Sequence, residues 1–258
     1  MKERPILFSG AMVRAILDGR KTQTRRVVKL PHNNPLGTWE PTTAGGGSVK
    51  YVGDIPAPEI AAIWHTRTGE CYVCPHGDVG DRLWVRETWK PRVSHSCALD
   101  TCDCADLWVD YQAAGDGVYF PERKIDENWT MPEVAMKGRW VPSIHMPRWA
   151  SRITLEIVGV RAERLQDISE SDAIAEGVES PESERFERDW SICPRCGGTR
   201  LYDAIGANGG VLPDTDCLEC DTHVKRYRHL WDSLNSARGY GWDKNSWVWV
   251  VEFRRIES

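Results

Sequence analysis

The chain has 258 residues, of which 41% are hydrophobic, and a net charge of −5 at pH 7. This length predicts one elaborated domain, or one domain that carries inserted modules. No apolar run approaches the roughly 20 residues of a transmembrane helix, and the N-terminus shows no extended apolar signal segment, so we expect a soluble cytoplasmic protein with no membrane partner. The negative charge argues against wholesale wrapping of a nucleic-acid backbone.

Basic residues are concentrated near the N-terminus. Between Met12 and Lys29 there is one acidic residue, Asp18, and there are six basic ones: Arg14, Arg20, Lys21, Arg25, Arg26 and Lys29. A local basic face on an acidic protein predicts one confined site for an anionic ligand, and a solvated charged surface is the alternative. The 13 tryptophans suit the core, and some of them suit stacking on nucleobases.

The pattern of the N-terminal segment predicts a strand, then a helix, then a second strand. A short strand is expected from Pro5 to Ser9, and apolar residues at helical spacing follow from Ala11 to Asp18. Gly19 is suited to end this helix, and the next strand is expected from Thr22 to Val28. The residues around position 21 therefore lie at a helix-to-strand junction, where side chains can point into a cleft.

The sequence of the middle of the chain predicts one strand flanked by loops. Residues 30–55 are rich in Pro, Gly, Asn and Thr, which is typical of a loop or a mobile insertion. A turn and a strand are expected over residues 80–89, with Leu83, Val85 and Glu87 on one side of the strand. Residues beyond position 91 are polar, without strong periodicity, up to about position 138.

The C-terminal half shows clearer signals. Ser169 is an expected helix cap with Asp172 in the capping-box position, and Gly177 ends this short helix. The final strand is apolar on both faces for half its length, which is typical of a central or barrel strand. The other expected elements are a strand over residues 153–165, a helix over residues 227–237 and that final strand over residues 246–256.

The residue types in the run from Gly19 to Arg26 are suited to catalysis or to binding an anionic ligand. It places one lysine, two threonine hydroxyls and three arginines within seven residues after the glycine. Lysine serves as a base where its pKa is lowered, threonine is a nucleophile beside a base, and arginine binds phosphate in a fork. The alternative is an ordinary strand with threonines on one face and charges on the other.

Two cysteine pairs predict a structural zinc ribbon. Cys193-x-x-Cys196 and Cys217-x-x-Cys220 are separated by 20 residues. Each pair supplies two thiolates from one turn, and together they match tetrahedral zinc. Four thiolates leave no open coordination position, so we expect a structural metal and no catalytic one.

A second cysteine group is less regular. Cys71-x-x-Cys74 is half of a possible second metal site. Disulfides are less expected in a chain without an export signal. The other half would come from Cys102 and Cys104, with Cys97, His76 and His95 as further candidates.

These motifs together resemble the ASCH domain, a family with a PUA-like β-barrel associated with RNA and nucleoside chemistry. The similarity extends over about half of the chain, and the whole is similar to longer ASCH proteins of phage and prophage genomes. It implies a mixed α+β fold, with a barrel core and short helices at its mouth, in a bacterial cytoplasm if the protein is phage-encoded. The similar segments are residues 19–26, 80–85, 153–177 and 247–256.

The resemblance implies one domain that contains insertions. The zinc ribbon would be the last insertion and lies outside the similar segments. The expected core comprises residues 1–29, 77–91, 138–183 and 227–258, and the expected insertions are residues 30–76, 92–137 and 184–226.

The resemblance also implies site residues. In the family motif Gly-x-Lys-x-x-Glu-x-Arg, Gly19, Lys21 and Arg26 match, while Thr24 stands at the glutamate position. The branch that hydrolyses N4-acetylcytidine also has threonine there. Its lysine accepts a proton, its threonine is the nucleophile, and a glutamate in a following helix donates a proton, which corresponds to Glu176 here.

A physical account accompanies this assignment. Arg20, Arg25 and Arg26 would lower the pKa of Lys21, so that its neutral amine takes the hydroxyl proton during attack on an acyl carbonyl. Glu87 is a rival acid, and a buried carboxylate there should pair with an arginine or a lysine. The expected ligand-binding set is Arg20, Arg25, Arg26, Glu87 and Trp84.

Alternatives to this hydrolase remain open at this point. A non-catalytic module that binds RNA, DNA or a modified base fits the basic run, the tryptophans and the ribbon. A ribonuclease using Lys21 with Glu176 or Glu87 is a third hypothesis, although the seven histidines are dispersed. Thr24 would otherwise be an ordinary strand residue, and Glu176 would cap or solvate a helix end.

Overall fold

The structure is a computed structural model that describes residues 1–45, 51–52, 55–56, 59–94, 106–178, 193–197 and 199–256. The chain has a mixed α+β fold that is rich in sheet and has few helices. Its contacts group it into two compact units. Unit 1 contains residues 1–19, 80–157 and 254–258, and unit 2 contains residues 20–79 and 158–253. The single-domain organisation and its insertion boundaries stay predictions.

The described residues form 15 strands and four α-helices. The strands are β1 (Glu3–Leu7), β2 (Gln23–Val27), β3 (Trp39–Ala44), β4 (Tyr51–Val52), β5 (Ile55–Pro56), β6 (Ile60–His65), β7 (Cys71–Val73), β8 (Arg82–Arg86), β9 (Trp89–Val93), β10 (Leu107–Tyr111), β11 (Asp116–Phe120), β12 (Thr154–Arg164), β13 (Leu201–Ile205), β14 (Val211–Asp216) and β15 (Trp247–Ile256). The α-helices are α1 (Gly10–Leu17), α2 (Glu133–Met136), α3 (Glu170–Ala175) and α4 (His223–Asn235).

In unit 1, β8 lies between β1 and the first part of β12. It runs parallel to β1, from Glu3 opposite Arg82, and antiparallel to β12, with Trp84 opposite Thr154. The expected strand and helix near the N-terminus are present with shifted ends. Helix α1 begins after Ser9, whose side chain accepts a hydrogen bond from the Met12 amide at 3.5 Å.

A second sheet in unit 1 was not anticipated. Strand β10 pairs with β9 on one side and with β11 on the other, in antiparallel register. The inner face of this sheet packs into a core of buried side chains. The polar composition of this segment hid the alternation of buried residues on β10. The core includes Trp89, Val109, Tyr111, Phe120 and Val141.

In unit 2, β15 lies between β2 and the second part of β12. It is antiparallel to β2, with Val251 opposite Thr24. Its residues 248–251 are fully or almost fully buried, so the strand with two apolar faces is central in this unit. In neither unit do the described strand pairings close into a barrel.

The rest of unit 2 holds the short helices and smaller sheets. The capping box of α3 is present as predicted, since Ser169 and Asp172 exchange side-chain and backbone hydrogen bonds. Strands β3, β6 and β7 form a sheet, and β13 pairs with β14. The segment expected to be a loop over residues 30–55 therefore contains strand β3 and the short β4. Across the described part of the chain, no helix combines the length and apolar character needed to cross a membrane.

Candidate functional site

Lys21 and Glu176 meet in the interior of unit 2. The Lys21 Nζ donates to Glu176 Oε2 at 2.7 Å, and both side chains are almost completely buried. The same nitrogen donates to the Glu176 carbonyl at 2.9 Å and to the Gln23 carbonyl at 2.8 Å. Two residues that lie 155 positions apart in the sequence thus form one ion pair.

Backbone contacts bring these two side chains together. Lys21 and Glu176 form an antiparallel bridge, and the Thr22 amide donates to the Ala175 carbonyl at 2.8 Å. Glu176 directly follows α3, and Gly177 adopts a φ of +86°, which ends the helix in a conformation that favours glycine. The helix end therefore holds the Glu176 carboxylate against the start of β2.

Burial is the main influence on Lys21. It lowers the pKa of the Lys21 amine, the Glu176 carboxylate acts to raise it, and the charges of Arg26 and Arg25 lower it further. Two of the three arginines in the prediction thus act as expected, but desolvation is the larger cause. The three acceptors around Nζ match the three hydrogens of an ammonium, whereas burial favours the neutral amine. The pair is therefore suited to proton exchange.

Arg25 binds the other carboxylate oxygen of Glu176. Its Nη1 donates to Glu176 Oε1 at 3.2 Å, and its Nη2 lies 2.6 Å from Glu163 Oε1 and 3.2 Å from Asp172 Oδ2. The Arg25 side chain is fully buried. Its charge is matched by these carboxylates, so in this structure Arg25 orients Glu176 and does not present its guanidinium to a ligand.

The carboxylates around Arg25 belong to a wider network. Asp172 accepts from Gln23 Nε2 at 3.1 Å and from Arg161 Nη2 at 2.9 Å. Arg161 also contacts Glu163 at 2.9 Å. Sequence reasoning missed Arg161 and Glu163, although their placement two residues apart on β12 put both on one face of a strand. Such a network also stabilises the fold.

Thr24, Arg26 and Arg20 differ in their relation to the Lys21–Glu176 pair. Thr24 is buried and alternates with Gln23 and Arg25 along β2, so its side chain is directed to the opposite face of the strand. Arg26 lies near the Lys21–Glu176 pair: burial lowers the pKa of its guanidinium, and the charges of Glu176 and Tyr227 raise it. Arg20 is exposed, and its Nη1 donates to the Gly177 carbonyl at 3.2 Å.

A buried tyrosine adjoins the Arg25 side of this site. Tyr227 lies on α4, and the Arg25 guanidinium carbon is 5.8 Å from its ring centroid. Burial raises the pKa of the Tyr227 hydroxyl, and the Glu176 charge raises it further. The helix over residues 227–237 was predicted, but nothing in its spacing assigned this residue to the site.

Glu87 lies in unit 1, directly after β8, and is buried. Arg152 donates to its two oxygens at 2.9 and 3.1 Å, which confirms the expected pairing with a basic residue. Arg152 also contacts Asp116 at 2.6 Å. Burial raises the pKa of Glu87, and Arg152 opposes this shift. Trp84 is buried on β8, with the Arg86 guanidinium carbon 4.6 Å from its ring centroid.

The four cysteines of the expected ribbon form one cluster in unit 2. Their sulfur atoms lie within 4.8 Å of one another, and all four residues are buried. Burial raises the pKa of the Cys193 and Cys220 thiols, which is the trend for thiols in apolar surroundings. A compact set of four thiols is the donor set of a structural metal ion such as zinc. The members are Cys193, Cys196, Cys217 and Cys220.

The second cysteine group is only partly described. Cys71 is exposed at the start of β7, and Cys74 is buried just after that strand. His95, Cys97, Cys102 and Cys104 lie outside the described residues. The second metal site therefore stays a prediction.

No protein-family model, curated protein or solved structure matches the chain. The resemblance to ASCH domains therefore stays a prediction from the motifs, and the function is argued from the site itself.

Proposed function

We propose that the protein is an amidohydrolase for an N-acylated nucleoside of the N4-acetylcytidine type. In this proposal Lys21 is the base, Thr24 is the nucleophile and Glu176 is the proton donor, on a core of the PUA-like type. The observation that carries the proposal is the buried hydrogen bond of 2.7 Å between Lys21 Nζ and Glu176 Oε2. Both partners were named from the sequence motif.

The first step is a proton shift within the pair. Lys21 passes a proton to Glu176, which leaves the neutral amine that burial favours at Lys21. The neutral amine then takes the Thr24 hydroxyl proton as Oγ1 attacks the acyl carbonyl. The C–N bond breaks, and Glu176 gives its proton to the leaving amine. Water hydrolyses the acyl-threonine ester, which returns Thr24 and releases the acid.

The Thr24 step is the most demanding, because strand alternation directs its hydroxyl away from the face of Gln23 and Arg25. Three variants isolate it. Thr24→Ser should keep most of the activity, whereas Thr24→Val and Thr24→Ala should lose it. If the Thr24→Val protein retains turnover, Thr24 is not the nucleophile.

The first test is turnover of N4-acetylcytidine and related N-acylated nucleosides, with release of the free nucleoside followed by chromatography. Lys21→Ala should abolish release, and Lys29→Ala, a change at an exposed lysine of the same basic run, should not. Release that survives in Lys21→Ala would overturn the assignment of the base. An absence of turnover with every substrate would favour a non-catalytic binding module over the hydrolase.

We also propose that the four-cysteine cluster holds a structural Zn²⁺. The four thiols match tetrahedral zinc and leave no position for a substrate. Metal analysis should find zinc in the purified protein and its loss in Cys217→Ser. The matched control is Cys71→Ser. If it also lowers the zinc content by one ion per chain, the second cysteine group binds metal as well.

A further inference from the structure

The outer face of the sheet formed by β9, β10 and β11 carries aromatic rings and cations. The inner face of this sheet packs the core through Trp89, Val109 and Tyr111. Beyond β9, Val141 pairs with Trp89 through two backbone hydrogen bonds of 3.2 and 2.8 Å, which adds a fourth backbone segment to the sheet. Packing of the core explains the residues on the inner face of the sheet, but it does not explain the rings and cations on its outer face.

The outer residues stand in register across the strands. Arg92 on β9 lies opposite Trp108 on β10, and Trp108 lies opposite Tyr119 on β11. Two residues further along each strand, and on the same outer face, Lys90 of β9 lies opposite Asp110 of β10. Cations and rings are therefore neighbours on one face, at the spacing of adjacent strands.

Trp108 lies close against the sheet. A Cβ atom at position 117 would come within 2.1 Å of the Trp108 Nε1, so only glycine leaves space for this indole. The Nε1 donates to Asp110 Oδ1 at 2.8 Å, and the Arg92 guanidinium carbon is 5.7 Å from the ring centroid. Covering a glycine with an aromatic ring also stabilises a sheet, so Trp108 alone does not define a binding surface.

The rings of Trp140 and Tyr119 on this outer face are more exposed than that of Trp108. Trp140, next to Val141, is 37% exposed, and Tyr119 is 43% exposed. The Lys90 Nζ lies 5.0 Å from the Trp140 ring centroid. Among the described residues no carboxylate forms an ion pair with Lys90, whereas Asp110 is engaged by Trp108 and Arg92. The Lys90 ammonium is therefore available to an anion.

We propose that this face binds single-stranded nucleic acid. Planar bases would stack on Trp140 and Tyr119, with Trp108 between them as a fixed ring, while Lys90 and Arg92 contact the phosphates. Alternating rings and cations match a chain of bases joined by anionic links. A sugar polymer would use the rings without the cations, and a duplex hides its bases. This inference does not rest on the proposed hydrolase function.

The test is fluorescence anisotropy with labelled 15-nucleotide oligo-dT and oligo-rU at low salt, with the full chain. We expect Trp140→Ala to weaken binding about 5- to 100-fold, since one stacked base is lost, and Trp140→Phe to restore most of it. Lys90→Gln should lower the slope of log affinity against log salt by about 0.7. Circular dichroism checks that each variant folds.

Two matched controls make the result specific. Trp64 is 36% exposed in unit 2, and Lys124 is exposed in unit 1, so Trp64→Ala and Lys124→Gln should bind as the wild type does. The proposal is overturned if the wild type shows no saturable binding, if Trp64→Ala weakens binding as much as Trp140→Ala, or if a duplex of the same length binds as tightly as the single strands.

Discussion

Glu176 in unit 2 and Glu87 in unit 1 are buried to the same degree, each with 2% of its surface exposed, and each is paired with an arginine. Their partners differ. Arg152 holds both oxygens of Glu87 in a fork, whereas Glu176 has Arg25 on one oxygen and Lys21 on the other. Among the described residues, Glu176 contacts a lysine and Glu87 does not.

This difference decides what each carboxylate can do. Arginine stays charged in proteins, so Glu87 and Arg152 can only form an ion pair. Lysine loses its proton when burial is sufficient, so Glu176 and Lys21 can also exchange one. The chemical capacity of a buried carboxylate therefore depends more on its partner than on its burial.

The largest expected effect is on turnover. Glu176→Gln removes the proposed proton donor and should lower kcat by about 10²- to 10⁴-fold, the usual contribution of general acid–base catalysis. Glu87→Gln should leave kcat within a few-fold of the wild type. Both are measured as release of free nucleoside. A comparable loss in both variants would make Glu87 an equal candidate for the acid.

The next effect is on stability. Glu176→Gln breaks the buried Lys21–Glu176 ion pair and should cost about 3–5 kcal/mol in the free energy of unfolding. Glu87→Gln should cost less than Glu176→Gln, because Arg152 keeps its contact with Asp116. Urea unfolding measures both, with the exposed Glu127→Gln as reference. Equal costs for the two changes would contradict the comparison.

The pH dependence of stability should have opposite signs in the two regions. The pKa of Lys21 is lowered from its ordinary 10.5, so the unfolded state binds more protons just below that pH, and stability there rises with pH. The pKa of Glu87 is raised from 4.5, so the folded state binds more protons just above that pH, and stability there falls as pH rises.

Difference measurements isolate these contributions. The free energy of unfolding of the wild type minus that of Lys21→Met should increase as the pH approaches 10.5. The free energy of unfolding of the wild type minus that of Glu87→Gln should decrease as the pH rises above 4.5. Slopes of the same sign would show that one of the two pKa shifts has the wrong direction.

The smallest expected effect concerns the backbone that holds Glu176. Gly177 has a φ of +86°, where a side chain is strained, so Gly177→Ala should cost about 1–2 kcal/mol. Because it displaces the end of α3, it should also lower turnover. Ala175→Gly, in the same helix, serves as a control for helix propensity. Unchanged turnover in Gly177→Ala would show that the helix end does not position Glu176.

Some features were predictable because their causes are local or because an unpaired buried charge is costly. The capping box at Ser169 and Asp172 depends on hydrogen bonds within four residues, and it is present as predicted. The pairing of Glu87 with a basic residue followed from the cost of burying an unpaired charge. The sheet containing β10 was missed, because its outer face mixes charged and aromatic residues and its strands are short.

The sequence by itself determined the cysteine spacing that forms the four-thiol cluster, the ends of α3 and the two apolar faces of β15. Each depends on neighbours within a few residues or on the period of one strand. Only the tertiary structure decided that Arg25 is enclosed by Glu163, Asp172 and Glu176 instead of facing a ligand. Those partners lie far away in the sequence, so their approach depends on the packing of β2, β12 and α3, which no local pattern encodes.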